Sequence, residues 1–455
     1  MDSLTPRQLV TLGLLIGSFM GSMEATVVAT AMPTIVGQLG GLNVYGWAFS
    51  IYVLASSAGI PVTGKLSDIF GRRIVYAWSM ALFLVASLLC AVAPTMLWLI
   101  VFRALQGLGA AGLLPLAAIM VGDMFTFAER ARVQALFSGV WGVSSVAGPL
   151  FGGFLVDWIG WPSVFYVNVP FGLLSAWLVW HWWVDHHELT VGKPYIDYPG
   201  AISVTAAAIV LLLALVDAMS WQGAGLLALA GGLAFVVYRV ERSSPDPIIP
   251  LALFHWKLFR VSILHAVTVG WLLSGVTAYV PLFVQEVQKG SATEAGAALT
   301  PLLLAFVLSA VACARLMLRI GYRPPAIGGM LGMIAGSGLL VLLRADSPRS
   351  LLLASMLIMG AGFGFTVPAL FIAVQSTVER QNMGAATSTI LFSRSMGGSI
   401  GVGVMGAFLN WEVSRTGFAV ALQRTFWVAA AVTLFGLFIT LSAPRLSAEE
   451  MGRRR

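Results

Sequence analysis

Runs of about 20 apolar residues, the length a helix needs to cross a bilayer, recur along almost the whole of this chain. They fall near 9–32, 46–63, 74–93, 97–121, 131–156 and 163–183, then 199–219 and 222–240, then 258–284, 295–318, 324–343, 350–373, 384–409 and 424–443. With 58% hydrophobic residues and only 10% Asp, Glu, Lys and Arg, the chain cannot cover a water-soluble globule with a normally solvated surface. The expectation is an all-α polytopic membrane protein with 14 transmembrane helices.

Charge then orients the chain. The stretch Gly64 to Arg73, GKLSDIFGRR, reads as a short loop between two apolar runs. Gly64 and Gly71 let the backbone turn, and Lys65, Asp68, Arg72 and Arg73, costly in hydrocarbon, are expected to sit in water. Its basic excess places it on the cytoplasmic side. With both termini also inside, the outer loops carry Lys289, Arg344, Arg349, Arg415 and Arg424. Arg103 and Arg394 fall within spans, and the rest of the 26 Lys and Arg lie on the inner side. The net charge of +7 is thus spread over inter-helix loops, with no basic patch of interleaved aromatics. The expected partner is the lipid bilayer, and nucleic acid is not one. The first run is too long for a signal-peptide core and contains Glu24, so it is expected to stay uncleaved. Cys90 and Cys313 lie in apolar runs and read as buried small hydrophobes, with no metal site.

Of the 19 acids, only Glu24 falls well inside a predicted span. Counting about 1.5 Å per residue puts Glu24 about 8 Å below the outer edge of the hydrocarbon, and Arg103 about 9 Å below the same edge. The two are expected to form a charge pair or near-pair. Motion that separates such a pair changes the proton affinity of the carboxylate, which makes it a coupling device. A static structural pair, or a Glu that snorkels, is the alternative reading. Gln106 and Gly107 fall on the face of Arg103. Gly148-Pro149, followed by Gly152 and Gly153, predicts a bend in the fifth span. Arg394, near mid-membrane, either meets an anionic group of a substrate or satisfies backbone carbonyls. His265 reads as a hydrogen-bonded helix residue or a proton carrier. Trp141, Trp177 and Trp271 are deep enough to line a substrate cavity, with Gln106 as a further lining residue. Asp123 and Asp217 lie at span ends and are expected to be solvated. No nucleotide-binding loop and no catalytic constellation of Ser, His, Asp or metal ligands can be assembled, so neither ATP-driven transport nor an enzyme is expected.

The loop GKLSDIFGRR resembles the signature between the second and third helices of the major facilitator superfamily. RALQGLGAAG around Arg103 is similar to the superfamily's fourth-helix motif, in which the arginine is associated with proton transfer. GVWGVSSVAGPLFGG resembles its antiporter signature. MEATVVATAMPTI, NVPFG, YVPLFVQEVQKGSATEAGAALTP and SRSMGGSIGV are similar to stretches of its fourteen-span drug–proton antiporter branch, with Glu24 where that branch usually has Asp. Pro162-Ser163 departs from it, the branch having Arg-Trp there.

The resemblance implies a major facilitator fold of two six-helix bundles plus two extra helices. The bundles would take residues 1–190 and 256–455, with a linker region of two additional spans at 191–255. A weakened echo of the signature loop, aligning Gly71 with Gly321 and Asp68 with Leu318, fits such a repeat. The implied activity is proton-coupled export of lipophilic small molecules, cations among them, by alternating access. A dedicated exporter of one lipid or metabolite, and a non-transporting receptor or assembly factor, remain the alternatives. Asp68 would dock on a helix N-terminus of the opposite half and, with Gly64, Gly71, Arg72 and Arg73, form a gate. The energy source would be the proton gradient, with no cofactor. The expected setting is a monomer in the cytoplasmic membrane of a prokaryote.

Overall fold

The computed structural model describes residues 5–40, 45–184, 197–216, 221–245, 247–249, 251–290, 292–379 and 382–445. These residues form helices and connecting turns with no strand among them. In chain order they are α1 (Pro6–Leu39), α2 (Tyr45–Phe70), α3 (Arg72–Ala91), α4 (Met96–Met124), α5 (Phe127–Trp158), α6 (Ser163–Tyr166) and α7 (Asn168–Trp182). A hairpin of α8 (Tyr198–Val216) and α9 (Trp221–Ser243) follows. Then come α10 (Lys257–Leu282), α11 (Ala292–Ile320), α12 (Arg323–Val341), α13 (Arg349–Thr377), α14 (Met383–Thr416) and α15 (Phe418–Leu441). Among the described residues, 9 helical stretches are long and apolar enough to cross a membrane.

Several helices outrun the apolar runs that announce them. α1 and α14 each have 34 residues, about 51 Å of helix against a hydrocarbon core of about 30 Å. The polar ends therefore continue as helix beyond the apolar layer. α2 and α3 are separated by Gly71 alone, at φ 88°, and α11 and α12 by a turn that begins at Gly321, at φ 77°. Both sit in the left-handed region that glycine enters without a Cβ clash, so the echo noted in the sequence is a repeated turn.

Helix packing repeats in the same way. In the first half α4 packs on α2 and α3, α7 on α1 and α3, and α5 on α1. In the second half α13 packs on α11 and α12, α15 on α10 and α12, and α14 on α10. The halves meet along α2 with α14 and α5 with α11. The hairpin is not a detached appendage, because α8 lies on the first of these seams. Leu54 and Ala58 of α2, Ala208 of α8 and Met396 of α14 form one buried cluster. Large apolar side chains such as Trp78, Leu97, Leu308 and Phe438 remain exposed on the perimeter, which is the surface a bilayer covers.

Candidate functional site

A buried charge network occupies the first half. α4 starts after Thr95, whose side chain accepts a hydrogen bond from Trp98 N at 3.4 Å. Two turns on, Arg103 donates through Nη1 to Glu24 Oε1 of α1 and to Gln106 Oε1 at 2.7 Å, and through Nε to Ala48 O of α2 at 3.1 Å. Its guanidinium carbon also lies 4.2 Å from the ring centre of Tyr52, a cation–π contact. The second oxygen of Glu24 accepts from Asn168 Nδ2 at 2.6 Å, at the start of α7. Asn168 and Gln106 both donate to Ser87 Oγ of α3, at 3.0 and 3.3 Å, and the Ser87 hydroxyl donates to Phe165 O at 2.9 Å. Glu24, Arg103 and Asn168 are each 1% exposed, so both charges are out of contact with water. Breaking such a pair is costly from either side, since it leaves an uncompensated charge. Asn168, Ser87 and Tyr52 were not predicted as site residues. Asn168 had a signal, as the only amide in the apolar run 163–183.

The stretch Gly64–Arg73 differs from its reading as a solvated loop. α2 continues through it to Phe70, and Lys65, Asp68 and Arg72 have their side chains largely buried in protein instead of standing in water, with Arg73 half-buried. Arg72 is 2% exposed and bonds to Asp68 Oδ1 at 2.5 Å, to Ser67 Oγ at 3.0 Å and to Asp123 Oδ2 at 3.0 Å. Asp123, expected in solvent, is an ion-pair partner because α4 carries it past the apolar layer to this corner. Gly64 is helical, not a turn residue, and its role is close approach. A Cβ there would lie 2.3 Å from Ser388 Oγ. Arg73 stacks over the Trp180 ring at 4.2 Å.

Asp68 reaches across to the other half, where its Oδ2 accepts from Ala385 N at 3.0 Å in the first turn of α14. At the same end Arg130 of α5 donates to Gln375 O of α13 at 2.9 Å, and Gln375 Nε2 donates to Ala118 O of α4 at 3.3 Å. The two halves are thus latched at the Gly71 end of the molecule. Gly384 makes the latch possible, because a Cβ on it would fall 2.4 Å from Asp68 Oδ1. Gly384→Val is expected to hold the latch open, and faster hydrogen exchange at the Ala385 amide is the measurement that checks it.

The remaining predicted residues divide. Gln106 is fully buried and committed to Arg103 and Ser87, so it belongs to the charge network and not to an open cavity wall. Trp177 is 55% exposed and stacks with His181 on the outer face of α7, because α7 turns Asn168, Gly172 and Ser175 inward. It therefore lines no cavity between the halves. Trp271 is half-buried with its indole against Gly401 of α14. Gly148 and Gly152 are buried in α5, which packs on α1 and α11. The side chains of Trp141 and Pro149, the surroundings of Gly153, and Asp217 lie outside the described residues. Arg394 and His265 line a small cavity between α10, α13 and α14.

Two helical halves with repeated packing, a charge pair inside one and a polar latch between them, define the architecture of a membrane transporter. The chain belongs to the Major Facilitator Superfamily, whose family model matches residues 14–402. It is 36% identical over 412 residues to the multidrug transporter protein MdtP of Bacillus subtilis, covering 89% of this chain and 75% of that protein. It is 35% identical over 416 residues to multidrug resistance protein 3 of the same organism, covering 89% and 81%. The fold is shared with the human organic anion transporter MFSD10 (TETRAN), at TM-score 0.71, 15% identity and 96% and 100% coverage. It is shared also with the proton:xylose symporter XylE, at TM-score 0.69, 15% identity and 97% and 98% coverage. The chain is a multi-pass membrane transporter and not an enzyme.

Proposed function

We propose that this chain is a proton-coupled antiporter that exports lipophilic small molecules by alternating access across 14 spans, in the manner of multidrug efflux. The observation that carries the reading is the Glu24–Arg103 pair, a carboxylate and a guanidinium sealed in the first half with the amides of Gln106 and Asn168 bonded to them. Its two side chains are the most deeply buried of the ion pairs among the described residues. A proton on Glu24 cancels the charge that holds Arg103, whose remaining contacts are Gln106, Ala48 O and the Tyr52 ring. The helices that carry the pair, α1 and α4, then lose the interaction that locks them in register, and proton binding favours a different packing of the half.

Asp68 supplies the counterpart between halves. Its bond to the N-terminal turn of α14 is a charge–dipole contact worth about 0.3–1 kcal/mol, more where partly buried, and is weak enough to be made and broken in each cycle. The similarity to two bacterial multidrug transporters over most of their length supports the substrate range and a bacterial cytoplasmic-membrane setting. Positive-inside charge supports a cytoplasmic location for both termini and for the latch. The expected unit is a monomer, with a domain division at about 190 and 256.

Proteoliposomes loaded with a lipophilic fluorescent dye test the proposal. An imposed pH gradient is expected to drive dye movement in the opposite direction, and collapse of the gradient to stop it. Dye movement insensitive to the gradient would remove the antiport reading. Asp68→Asn is expected to slow turnover while leaving dye affinity within a factor of about 2, because the carboxylate contacts α14 and not the cargo. Equal loss of both would count against a gate.

A further inference from the structure

The guanidinium of Arg394 has neither an ion pair nor a hydrogen bond among the described residues, unlike that of Arg103. It lines a cavity of about 20 Å³, room for about one water or one small charged head group, between α10, α13 and α14. No acidic residue is among those lining it. Ser262 supplies a second donor. It is 2% exposed, lines the same cavity, and its hydroxyl has no partner among the described residues. A helix serine ordinarily returns that proton to the preceding turn.

His265 completes the polar wall. Its two ring nitrogens face Thr440 Oγ1 at 3.1 Å and Thr366 Oγ1 at 3.2 Å. Each of those hydroxyls already gives its single proton to a backbone carbonyl, Thr440 to Gly436 O and Thr366 to Ala326 O. The ring is held in place from both sides. The cavity is thus walled by a fixed cation, an imidazole held between two threonines, and an uncommitted hydroxyl donor. The remaining wall is apolar, with Leu370, Phe371 and Ile390 among its members.

We propose that this cavity is a head-group site for a singly charged anion no larger than a carboxylate, supplied by a lipophilic acid as substrate. A planar carboxylate accepts two parallel bonds from a guanidinium and a further one from a serine hydroxyl, and at about 20 Å³ the cavity takes this head group alone, the adjoining chain lying outside it. A cation is repelled here. The proposal rests on the exporter reading and deepens it by assigning part of the cargo a charge class.

Titration of the purified full-length protein in neutral detergent, with sulfate as the only added anion, tests it without any gradient. A failed titration is therefore a separate result from failed proton-driven flux. Decanoate is expected to raise the melting temperature saturably, and decanol, its neutral counterpart, to do so weakly or not at all. Arg394→Gln is expected to weaken decanoate binding by about tenfold or more, with Ser262→Ala weakening it less. Should Arg394→Gln not fold, Arg394→Lys carries the test, since a point charge without the planar fork is expected to bind decanoate more weakly than the native protein. Equal protection by decanol and decanoate, or variants that bind decanoate as tightly as the native chain, would overturn the assignment. Arg394-dependent protection by chloride in place of decanoate would also overturn it, by assigning the cavity to a free ion.

Discussion

Glu24→Gln is expected to reduce gradient-driven dye flux to the level of empty liposomes while leaving equilibrium dye binding in place. The substitution keeps the shape of the side chain and an oxygen that can accept from Arg103, but fixes the neutral state that a proton otherwise confers only transiently. A transporter locked in one protonation state cannot exchange a proton for its cargo. With that oxygen turned to Arg103, the new NH2 faces Asn168, whose own amide can flip to accept from it through Oδ1, so the network stays connected and the helices are expected to assemble. Counterflow of dye with no gradient is the discriminating measurement, because it needs alternating access but no net proton movement. Retained counterflow with lost pH drive is the expected outcome. Unimpaired pH-driven flux would remove Glu24 from the coupling mechanism.

The largest effect on stability is expected at Arg103. Arg103→Met leaves the Glu24 carboxylate buried with only the amide of Asn168 against it, a loss of about 3–5 kcal/mol measurable by unfolding in mixed micelles. The double variant Glu24→Gln, Arg103→Met removes both charges and replaces them with groups of similar bulk. It is expected to be more stable than the sum of the single losses by about 2 kcal/mol, the signature of direct coupling. A strictly additive double variant would mean that the two charges do not interact. Arg103→Lys keeps the charge but not the fork, so the contacts to Ala48 O and Gln106 cannot both be kept. An intermediate loss is expected from it.

Physical constraint explains which parts of the site could be read in the sequence. Glu24 and Arg103 stand out because a charge in an apolar run of 20 residues has no cheap place to go, and the fixed rise of a helix lets two such charges be assigned one depth. Gly71 stands out for a similar reason, since a turn between two antiparallel helices that spares a single residue needs a positive φ. Gln106 could be placed on the face of Arg103 but was assigned to a cavity wall, because periodicity shows direction along a helix and not what lies opposite. Trp177 failed for the same reason, having the right depth on the outward face.

The stretch Gly64–Arg73 marks the boundary most clearly. Its charges exclude it from hydrocarbon, and the sequence offers water as the alternative. The structure supplies a third environment, the polar corner where α2, α4 and α14 meet, in which Arg72 is held by two carboxylates and Asp68 by a backbone amide. No local rule predicts such a corner, because its members lie 51 and 317 residues apart in the chain.

What the sequence determined by itself is a membrane protein of many helices and the two charged residues that hydrocarbon cannot tolerate alone, because the bilayer imposes length, polarity and depth on each helix separately. What only the tertiary structure decided is company: that Arg103 has a carboxylate and Arg394 has none among the described residues, that α8 covers the seam between α2 and α14, and that Asp68 ends on an amide of the other half. Those are contacts between helices. In lipid they are set by the fit of one helix surface to another, and a linear pattern does not carry that fit.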